Sequence, residues 1–403
     1  MSNQSNESPK LSEFVSSTFQ LCKPFWQSPE HRKYAWGYLI GILVILFFQL
    51  TVAREMSYAS ADLFNAMDHR KKDEIMINIF RWAGLVVAVV SLMVLSTHLR
   101  YILIIHWREF LTSKYLKGYL HDGVFNQLQL KDYKVDNPDQ RIAMDMLLIA
   151  EETLQLGLNF IQNIGQIFVY GTILWTVSGA IAFAIGGSEF VIPGYMFWVA
   201  VVYAIIATFL THKLGKPLGG INFEKQKVEA DFRYQMVRIR ENSEGVALLS
   251  GEGYEQGLLN HRFRLIKENW FLYTKYTKRL IGLNFGFSQL SMVFPYLAAM
   301  PAFMAGTIAI GSMIQLRGAF FAVESSLSWF AQSYSLLAAW KSSVDRALSL
   351  QQAIEQAQSD IKNSKIIHEN SDDQSLTVSD LTISLPNRKT LIDGMTMNRA
   401  IML

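Results

Sequence analysis

The sequence holds very few cysteines and no stretch resembling a cleavable leader. Cys22 is the single cysteine among 403 residues, which excludes an intrachain disulfide. The stretch Met1–Lys10 is polar and lacks the apolar core of a signal peptide, so we expect the first apolar run to direct membrane insertion. The net charge is only +3, and the basic residues are spread over loops without stacking aromatics. That distribution excludes a typical nucleic-acid-binding surface, and we expect no nucleic-acid partner.

Long apolar runs are abundant in this chain. A helix needs about 20 mostly apolar residues to cross a bilayer. Six runs approach that length: Tyr34–Val52, Trp82–Ile105, Leu156–Ile185, Tyr195–Leu210, Leu280–Met304 and Gly318–Trp340. A buried helix of a soluble protein would be the alternative, but the run Leu39–Phe48 has no polar face. The sequence therefore predicts an all-α membrane protein with six transmembrane helices.

Two long polar loops separate these runs, one from Trp107 to about Glu152 and one from His212 to about Arg279. Both are rich in Lys and Arg, which are enriched on the cytoplasmic side of membrane proteins. Only the short basic stretch Arg70–Lys72 contradicts this orientation. We therefore expect long cytoplasmic helical extensions, with both termini in the cytoplasm.

Each long loop has a break at its midpoint. In the first, Asn137 before Pro138 predicts a turn, and Asp136 or Asn137 can cap a short helix that starts near Pro138. In the second, two helical stretches, Asn222–Arg240 and Tyr254–Lys278, flank a glycine-containing segment. Two helical hairpins with interrupted tips predict two contact points in the cytoplasm.

The two ends of the chain have different patterns. Apolar residues between Leu11 and Cys22 recur at helical spacing, which predicts an amphipathic interfacial helix that Pro24 and Pro29 break. At the other end the last helix should continue through Lys341–Gln356. A polar linker follows at 357–375, and near-alternation from Leu376 to Leu385 predicts a strand before a turn at 386–388. We thus assign 1–356 to a transmembrane domain and 376–403 to the beginning of a second domain.

This organisation resembles an ABC-exporter half-transporter. The local motifs are similar to those of the SbmA/BacA-like branch, which includes bacterial YddA-type ABC proteins and is related to peroxisomal fatty-acyl half-transporters. The motifs that carry the resemblance are Trp107–Thr112, Asp136–Ile142, Glu244–Leu248 with Gly251-Glu252, and Ser326–Phe330.

The resemblance implies that the hairpin tips are coupling helices that dock on nucleotide-binding domains. The positions it assigns to coupling are Asp136, Asn137, Pro138, Asp139, Gln140, Arg141, Glu244, Gly251 and Glu252. It also implies a homodimer, because six spans and one nucleotide domain form half of the working unit. The alternative for these positions is ordinary helix capping and turn chemistry without a partner.

The phosphate-binding loop of such a nucleotide-binding domain is absent from the sequence. No G-x-x-x-x-G-K-(S/T) occurs, and Gly215-Lys216 is followed by Pro217. Residues 376–403 resemble the stub of a truncated nucleotide-binding domain, so ATP and Mg are implied only for the missing part. We expect no enzyme activity, no cofactor and no metal site in this chain.

Two helical faces carry polar residues inside predicted spans. The residues are Asn159, Gln162, Asn163 and Gln166 in the third span, and Arg317, Glu324, Ser328 and Gln332 in the sixth. Polar groups within a bilayer normally face water or the bundle interior, which predicts a translocation pathway. Interhelical hydrogen bonding is the alternative, and for the carboxylate of Glu324 we favour the pathway.

These observations predict the permease half of a homodimeric ABC-type transporter that moves a peptide or other amphipathic solute across the bacterial inner membrane. Two alternatives remain open: a proton-coupled peptide importer of the SbmA/BacA kind without an ATPase, and an inactive truncated transporter.

Overall fold

The computed structural model describes residues 11–131, 133, 135–185, 188–363, 375–384 and 390–400. Its helices are α1 Leu11–Gln27, α2 Arg32–Asp68, α3 Lys72–Leu120, α4 Val124–Leu130, α5 Pro138–Gln140, α6 Met146–Ser178, α7 Tyr195–Glu241, α8 Ser243–Leu248, α9 Glu252–Met304, α10 Ile310–Gln332 and α11 Tyr334–Lys362. A 3₁₀ turn spans His121–Gly123 and a π-helical turn spans Arg141–Asp145. Two antiparallel strand pairs are β1 Ala180–Ile185 with β2 Ser188–Pro193, and β3 Ser375–Ser384 with β4 Thr390–Ala400.

The chain divides into two compact units. The first unit comprises Met1–Gly41, His98–Leu156 and Leu336–Leu403, and so includes α1, the first predicted hairpin and most of α11. The second comprises Ile42–Thr97 and Gly157–Ser335, and so includes the second hairpin and α10.

The core of the first unit is a seam between α3 and α11. On α11 the buried residues follow a 4-3-4-3 spacing, which places them on one face: Ser343, Ala347, Leu350, Ile354 and Ala357. On α3 the buried residues are Trp107, Leu111 and Tyr115, and the Trp107 ring stacks on Phe25 of α1. The Tyr115 hydroxyl donates to the Ala347 carbonyl at 3.1 Å, which satisfies a buried polar group inside this seam.

The second unit has its core where α6, α7, α9 and α10 meet. Its buried members are Ile173, Leu174, Tyr195, Met196, Ala200, Ala299, Met313, Leu316, Ala319, Phe320 and Val323. The Tyr195 hydroxyl donates to the Ala298 carbonyl at 2.9 Å and so joins α7 to α9. This core fixes the position of α10, which carries half of the predicted pathway residues.

Four helices in the described part of the chain are long and apolar enough to cross a membrane. They are Arg32–Asp68, Lys72–Leu130, Tyr195–Glu241 and Glu252–Met304. They contain the predicted first, second, fourth and fifth spans. The third and sixth predicted spans are helical over most of their length, in α6 and α10, but a count of six spans remains a prediction.

Both of those spans differ from the prediction at one end. α6 ends at Ser178, because Gly179 has a φ of +67° and the chain then forms the β1–β2 hairpin. The predicted third span to Ile185 is therefore too long. The predicted sixth span, Gly318–Trp340, contains a helix break at Ser333, where α10 gives way to α11.

Two terminal predictions also change. Pro24 does not break α1, which continues to Gln27, because Leu21 and Phe25 are buried and hold the last turns in place. The chain turns at Ser28–His31, so the predicted break at Pro29 is confirmed. At the other end α11 continues beyond Gln356 to Lys362, into the segment assigned to a linker.

The predicted strand near the C-terminus is confirmed as β3, which pairs with β4 in antiparallel register from Ser375↔Ala400 to Ser384↔Thr390. The predicted turn at 386–388 and most of the predicted linker lie outside the described residues.

Candidate functional site

The tip of the first hairpin begins at Asn137, which occupies the N-cap position of α5 with Pro138 as the first helical residue. Asn137 has a left-handed backbone, φ +45°, which Asn tolerates better than most residues. Its side chain makes no capping hydrogen bond, so the predicted side-chain cap is wrong. The exposed side chains of this tip are Asp136, Asn137, Asp139 and Gln140, whereas Arg141 is half-buried.

The tip is also not a separate short helix. α5 continues through the π-helical turn Arg141–Asp145 into α6. π turns are rare and occur mostly as single turns inside α-helices, often at functional sites. The side chain of Arg108 on α3 donates to the Ala143 carbonyl within this turn at 3.2 Å.

Both ends of the π turn are bound to α11. The Arg141 guanidinium donates to the Arg346 carbonyl at 3.1 Å and to the Ser349 hydroxyl at 2.7 Å. Asp145, at the other end, accepts two hydrogen bonds from the Arg346 side chain at 2.6 and 2.8 Å. The hydrogen bond to Asp145 raises the pKa of Arg346, so the guanidinium stays protonated. Arg141 was predicted as a coupling residue, but its partners on α11 were not.

Another carboxylate, Glu152 on α6, lies near this pair without an equivalent partner. One carboxylate oxygen of Glu152, Oε2, is buried and accepts no hydrogen bond. Desolvation raises the pKa of Glu152, the negative charge of Glu151 raises it further, and Arg346 partly offsets both effects. The next residue, Thr153, accepts a hydrogen bond from the indole of Trp340 at 2.8 Å.

The far end of α11 is joined to the first hairpin by another ion pair. Asp360 accepts from Lys131 and from the Tyr133 hydroxyl, both at 2.9 Å. These bonds lower the pKa of Asp360, and the bond to Asp360 raises the pKa of Lys131. α11 is thus attached to the hairpin both near the tip and near its own C-terminal end.

The tip of the second hairpin is the short helix α8. Leu248 and Leu249 at its end are 78% and 84% exposed, and Tyr254 just beyond is 76% exposed. Of the predicted coupling residues, Glu244 and Glu252 are exposed and Gly251 is the N-cap residue of α9. The sequence predicted the break at this tip but not α8 or its two exposed leucines, although adjacent leucines in a polar loop were visible in the sequence.

The arms of this second hairpin are held together just below the tip. Glu255 on α9 accepts a hydrogen bond from Gln235 on α7 at 2.9 Å and pairs with Arg238 at 3.5 Å. These contacts keep α8 at the end of a closed hairpin, where its apolar side chains face outward.

The two predicted polar faces lie in the second unit, on α6 and α10. Asn159, Gln162, Asn163, Gln166, Arg317, Glu324 and Ser328 are half-buried, and Gln332 is exposed. Asn163 donates to the Asn159 carbonyl at 2.7 Å, and Ser328 donates to Glu324 at 3.0 Å, so both contacts stay within one helix. Gln166 accepts from the buried Ser326 on α10 at 2.9 Å. For Gln166 the structure therefore shows the interhelical hydrogen bond that was the alternative.

The sequence matches the family described as ABC transporter transmembrane region 2 over residues 25–304. It is 32% identical to the inner membrane ABC transporter ATP-binding protein YddA of Escherichia coli over 93% of this chain and 66% of that relative. An uncharacterized ABC transporter ATP-binding protein of Haemophilus influenzae is 28% identical over 80% of this chain and 55% of its own length. The chloroplastic ABC transporter D family member 2 of Arabidopsis thaliana is 25% identical over 81% and 44%, respectively. The chain thus spans less than two thirds of the length of these relatives.

Proposed function

This chain belongs to the ABC transporter transmembrane region 2 family, and on that premise we propose that it forms the membrane-spanning half of a homodimeric ABC-type transporter. The proposed substrate is a peptide or another amphipathic solute, and the proposed location is the bacterial inner membrane with both termini in the cytoplasm. The nucleotide-binding domain is supplied either on the rest of a longer chain or in trans, and in both cases it docks on the two hairpin tips.

The observation that carries the proposal is the exposed apolar end of α8. Leu248 and Leu249 project from the tip of a hairpin whose arms are charged and closed. Fully burying a leucine side chain contributes about 1.5–3 kcal/mol, so a protein surface that covers both residues gains substantial binding free energy. The first tip, with exposed Asp136, Asp139 and Gln140, would supply a second docking contact, which is polar.

The pathway residues support the transport part of the proposal. Most of the polar side chains on α6 and α10 are half-buried, as expected for a face that is shielded from lipid but open to a solute; the exceptions to this role are the exposed Gln332 and Gln166, which bonds to Ser326. Glu324 carries a carboxylate on this face, which suits a cationic substrate.

Binding of an ATP-binding segment in trans tests the proposal. The probe is the purified ATP-binding segment of the E. coli relative, added to inside-out membrane vesicles that contain this chain. We expect saturable binding and ATP hydrolysis above that of vesicles without the chain. Replacing Leu248 and Leu249 together by serine should weaken binding by at least about tenfold, because two buried apolar contacts are lost.

Tyr234→Ser is the matched control. Tyr234 is 70% exposed on α7 of the same hairpin, about 10 Å along the helix axis from its end. This change should leave binding within twofold of the unmodified chain. The chain alone should hydrolyse no ATP, since it has no phosphate loop. Equal loss of binding in both variants would contradict docking at α8.

A proton-coupled importer is the second candidate, and the carboxylate of Glu324 on the polar face of α10 favours it. The same vesicles separate the two functions. An importer of this kind would bind no ATP-binding segment and would release a fluorescent cationic peptide, loaded into the vesicle lumen, in response to an imposed pH gradient alone.

A further inference from the structure

The first coupling tip is attached to α11 by one residue that contacts both ends of the π turn. The Arg346 side chain binds Asp145 at the C-terminal end, and the Arg346 carbonyl accepts from Arg141 at the N-terminal end. We infer that Arg346 is a positioning residue that sets the orientation of the first coupling tip and joins its movement to that of α11. The role of Arg346 in transport rests on the proposed function, whereas its contacts with the tip do not.

Burial makes this contact obligatory for the folded tip. Asp145 is 5% exposed, and a buried carboxylate without a partner is strongly destabilising. The Arg346 guanidinium is itself fixed by the hydroxyls of Ser342 and Ser343, at 2.7 and 3.0 Å, so it reaches Asp145 in one orientation. The planar guanidinium binds both oxygens of the carboxylate, so it fixes the orientation of Asp145 as well as balancing its charge. A lysine ammonium supplies the charge but not the orientation.

The π turn explains why orientation matters at this point. A π turn holds one residue more than the α-helix would, and its hydrogen bonding is less favourable, so surrounding contacts must maintain it. If the turn relaxed to α-helix, every residue beyond it would rotate by about 100° around the helix axis. The exposed residues Asp136, Asp139 and Gln140 would then face a different direction.

α11 extends this fixed geometry toward the C-terminal strands. It is attached near its end by Asp360 to Lys131 and Tyr133, and Gly118 on α3 lies so close that a Cβ there would be 3.1 Å from Ile354 Cγ2. The tip and the helix that leads to β3 and β4 therefore form one body within the first unit. A displacement of α11 would move the tip directly, in addition to any docking contact.

Amide hydrogen exchange of the full chain in detergent tests this role, because it requires neither ATP nor substrate. In Arg346→Gln we expect amides in 137–146 to exchange about tenfold faster. Local opening of the tip becomes easier because it no longer has to break the hydrogen bonds between Arg346 and Asp145. Amides of α8 and of the α3–α11 seam should be unchanged. Arg346→Lys, which keeps the charge but loses the fork, should give an intermediate rate.

Arg262→Gln is the matched control, because Arg262 also pairs with a carboxylate, Asp231, at 3.5 Å but on the second hairpin. It should leave 137–146 unchanged. If Arg346→Gln does not yield folded protein, Ser349→Ala removes the other partner of Arg141 and should accelerate the same amides. Unchanged exchange in 137–146, or equal acceleration throughout the first unit, would overturn the inference. Binding of the ATP-binding segment that persists while the tip is loosened would leave the proposed function intact.

Discussion

At the scale of single residues, the first hairpin holds two carboxylates in opposite situations, Asp145 at the end of the π turn and Glu152 on α6. Asp145 is buried and bound by both arms of Arg346, so its charge is balanced. Glu152, two turns later, has a buried oxygen without a hydrogen bond and a raised pKa. Burial alone therefore does not identify which carboxylate stabilises the fold. A buried carboxylate stabilises it when a cationic side chain binds it, as Arg346 binds Asp145.

This contrast predicts a pH-dependent effect of Glu152→Gln. Because the folded pKa of Glu152 lies above its ordinary value of 4.5, the native state is favoured below pH 4.5 and loses stability as pH rises through the folded pKa. The neutral glutamine should increase the free energy of unfolding at pH 7.5 by about 1 kcal/mol or less, because the site is partly solvated, and so raise the unfolding temperature; it should have little effect at pH 4.

Thermal unfolding in detergent at the two pH values measures this difference. Glu229→Gln serves as the control, since Glu229 is an exposed carboxylate on the second hairpin. A stabilisation by Glu152→Gln that is equal at both pH values would show that shape, and not charge, is responsible.

At the scale of secondary-structure elements, the first turn of α10 packs on α2. Ala309 occupies the N-cap position of α10 and cannot cap it, but Asn65 on α2 accepts the Gly311 amide at 2.8 Å. A Cβ at position 311 would lie 2.1 Å from the Ala61 carbonyl oxygen, so only glycine fits. The start of the helix that carries Arg317 and Glu324 is thus fixed by a cap supplied from another helix.

We therefore expect Gly311→Ala to destabilise the protein by about 1–3 kcal/mol, because backbone must move to make room. Asn65→Ala should cost about 0.5–2 kcal/mol through loss of the cap. Gly318→Ala on the same helix is the control, since nothing lies within 4 Å of a Cβ there, and it should be neutral or stabilising by up to about 1 kcal/mol. Unfolding temperatures in detergent compare the three variants, and destabilisation by Gly318→Ala equal to that by Gly311→Ala would refute the steric argument.

At the scale of the whole molecule, orientation in the membrane decides whether the two tips can meet a nucleotide-binding partner. Single cysteines at Gln140 and Glu244, both exposed, test it in a Cys22→Ser background. Both should resist an impermeant thiol reagent in intact cells and react once the membrane is opened, because we expect loops rich in Lys and Arg to remain in the cytoplasm.

Asp73→Cys provides the opposite control, since Asp73 is exposed at the start of α3, beside the basic stretch Arg70–Lys72 that contradicts this orientation. It should react from outside in intact cells. Labelling of Gln140→Cys or Glu244→Cys from outside would reverse the topology and remove the basis for cytoplasmic docking.

The sequence by itself determined the features that depend on local pattern. Apolar runs and their helical continuations, the break at the second tip and the strand at Leu376 are all recognised from neighbouring residues, because hydrogen bonding in a helix and alternation in a strand involve nearby positions. The candidate residues Asp136–Arg141 and Glu244–Glu252 were likewise found at hairpin tips because breaks in a helical pattern are local.

Only the tertiary structure decided which distant residues meet. Arg346 lies 201 positions from Asp145, and Asn65 lies 246 positions from Gly311, so no periodicity connects either pair. The π turn, the break at Ser333 and the end of α6 at Ser178 also depend on contacts or backbone angles that the predicted pattern did not contain. Hydrophobic patterning specifies that a helix exists and which face it buries, but the partner of a buried charge is set by packing between elements far apart in the chain.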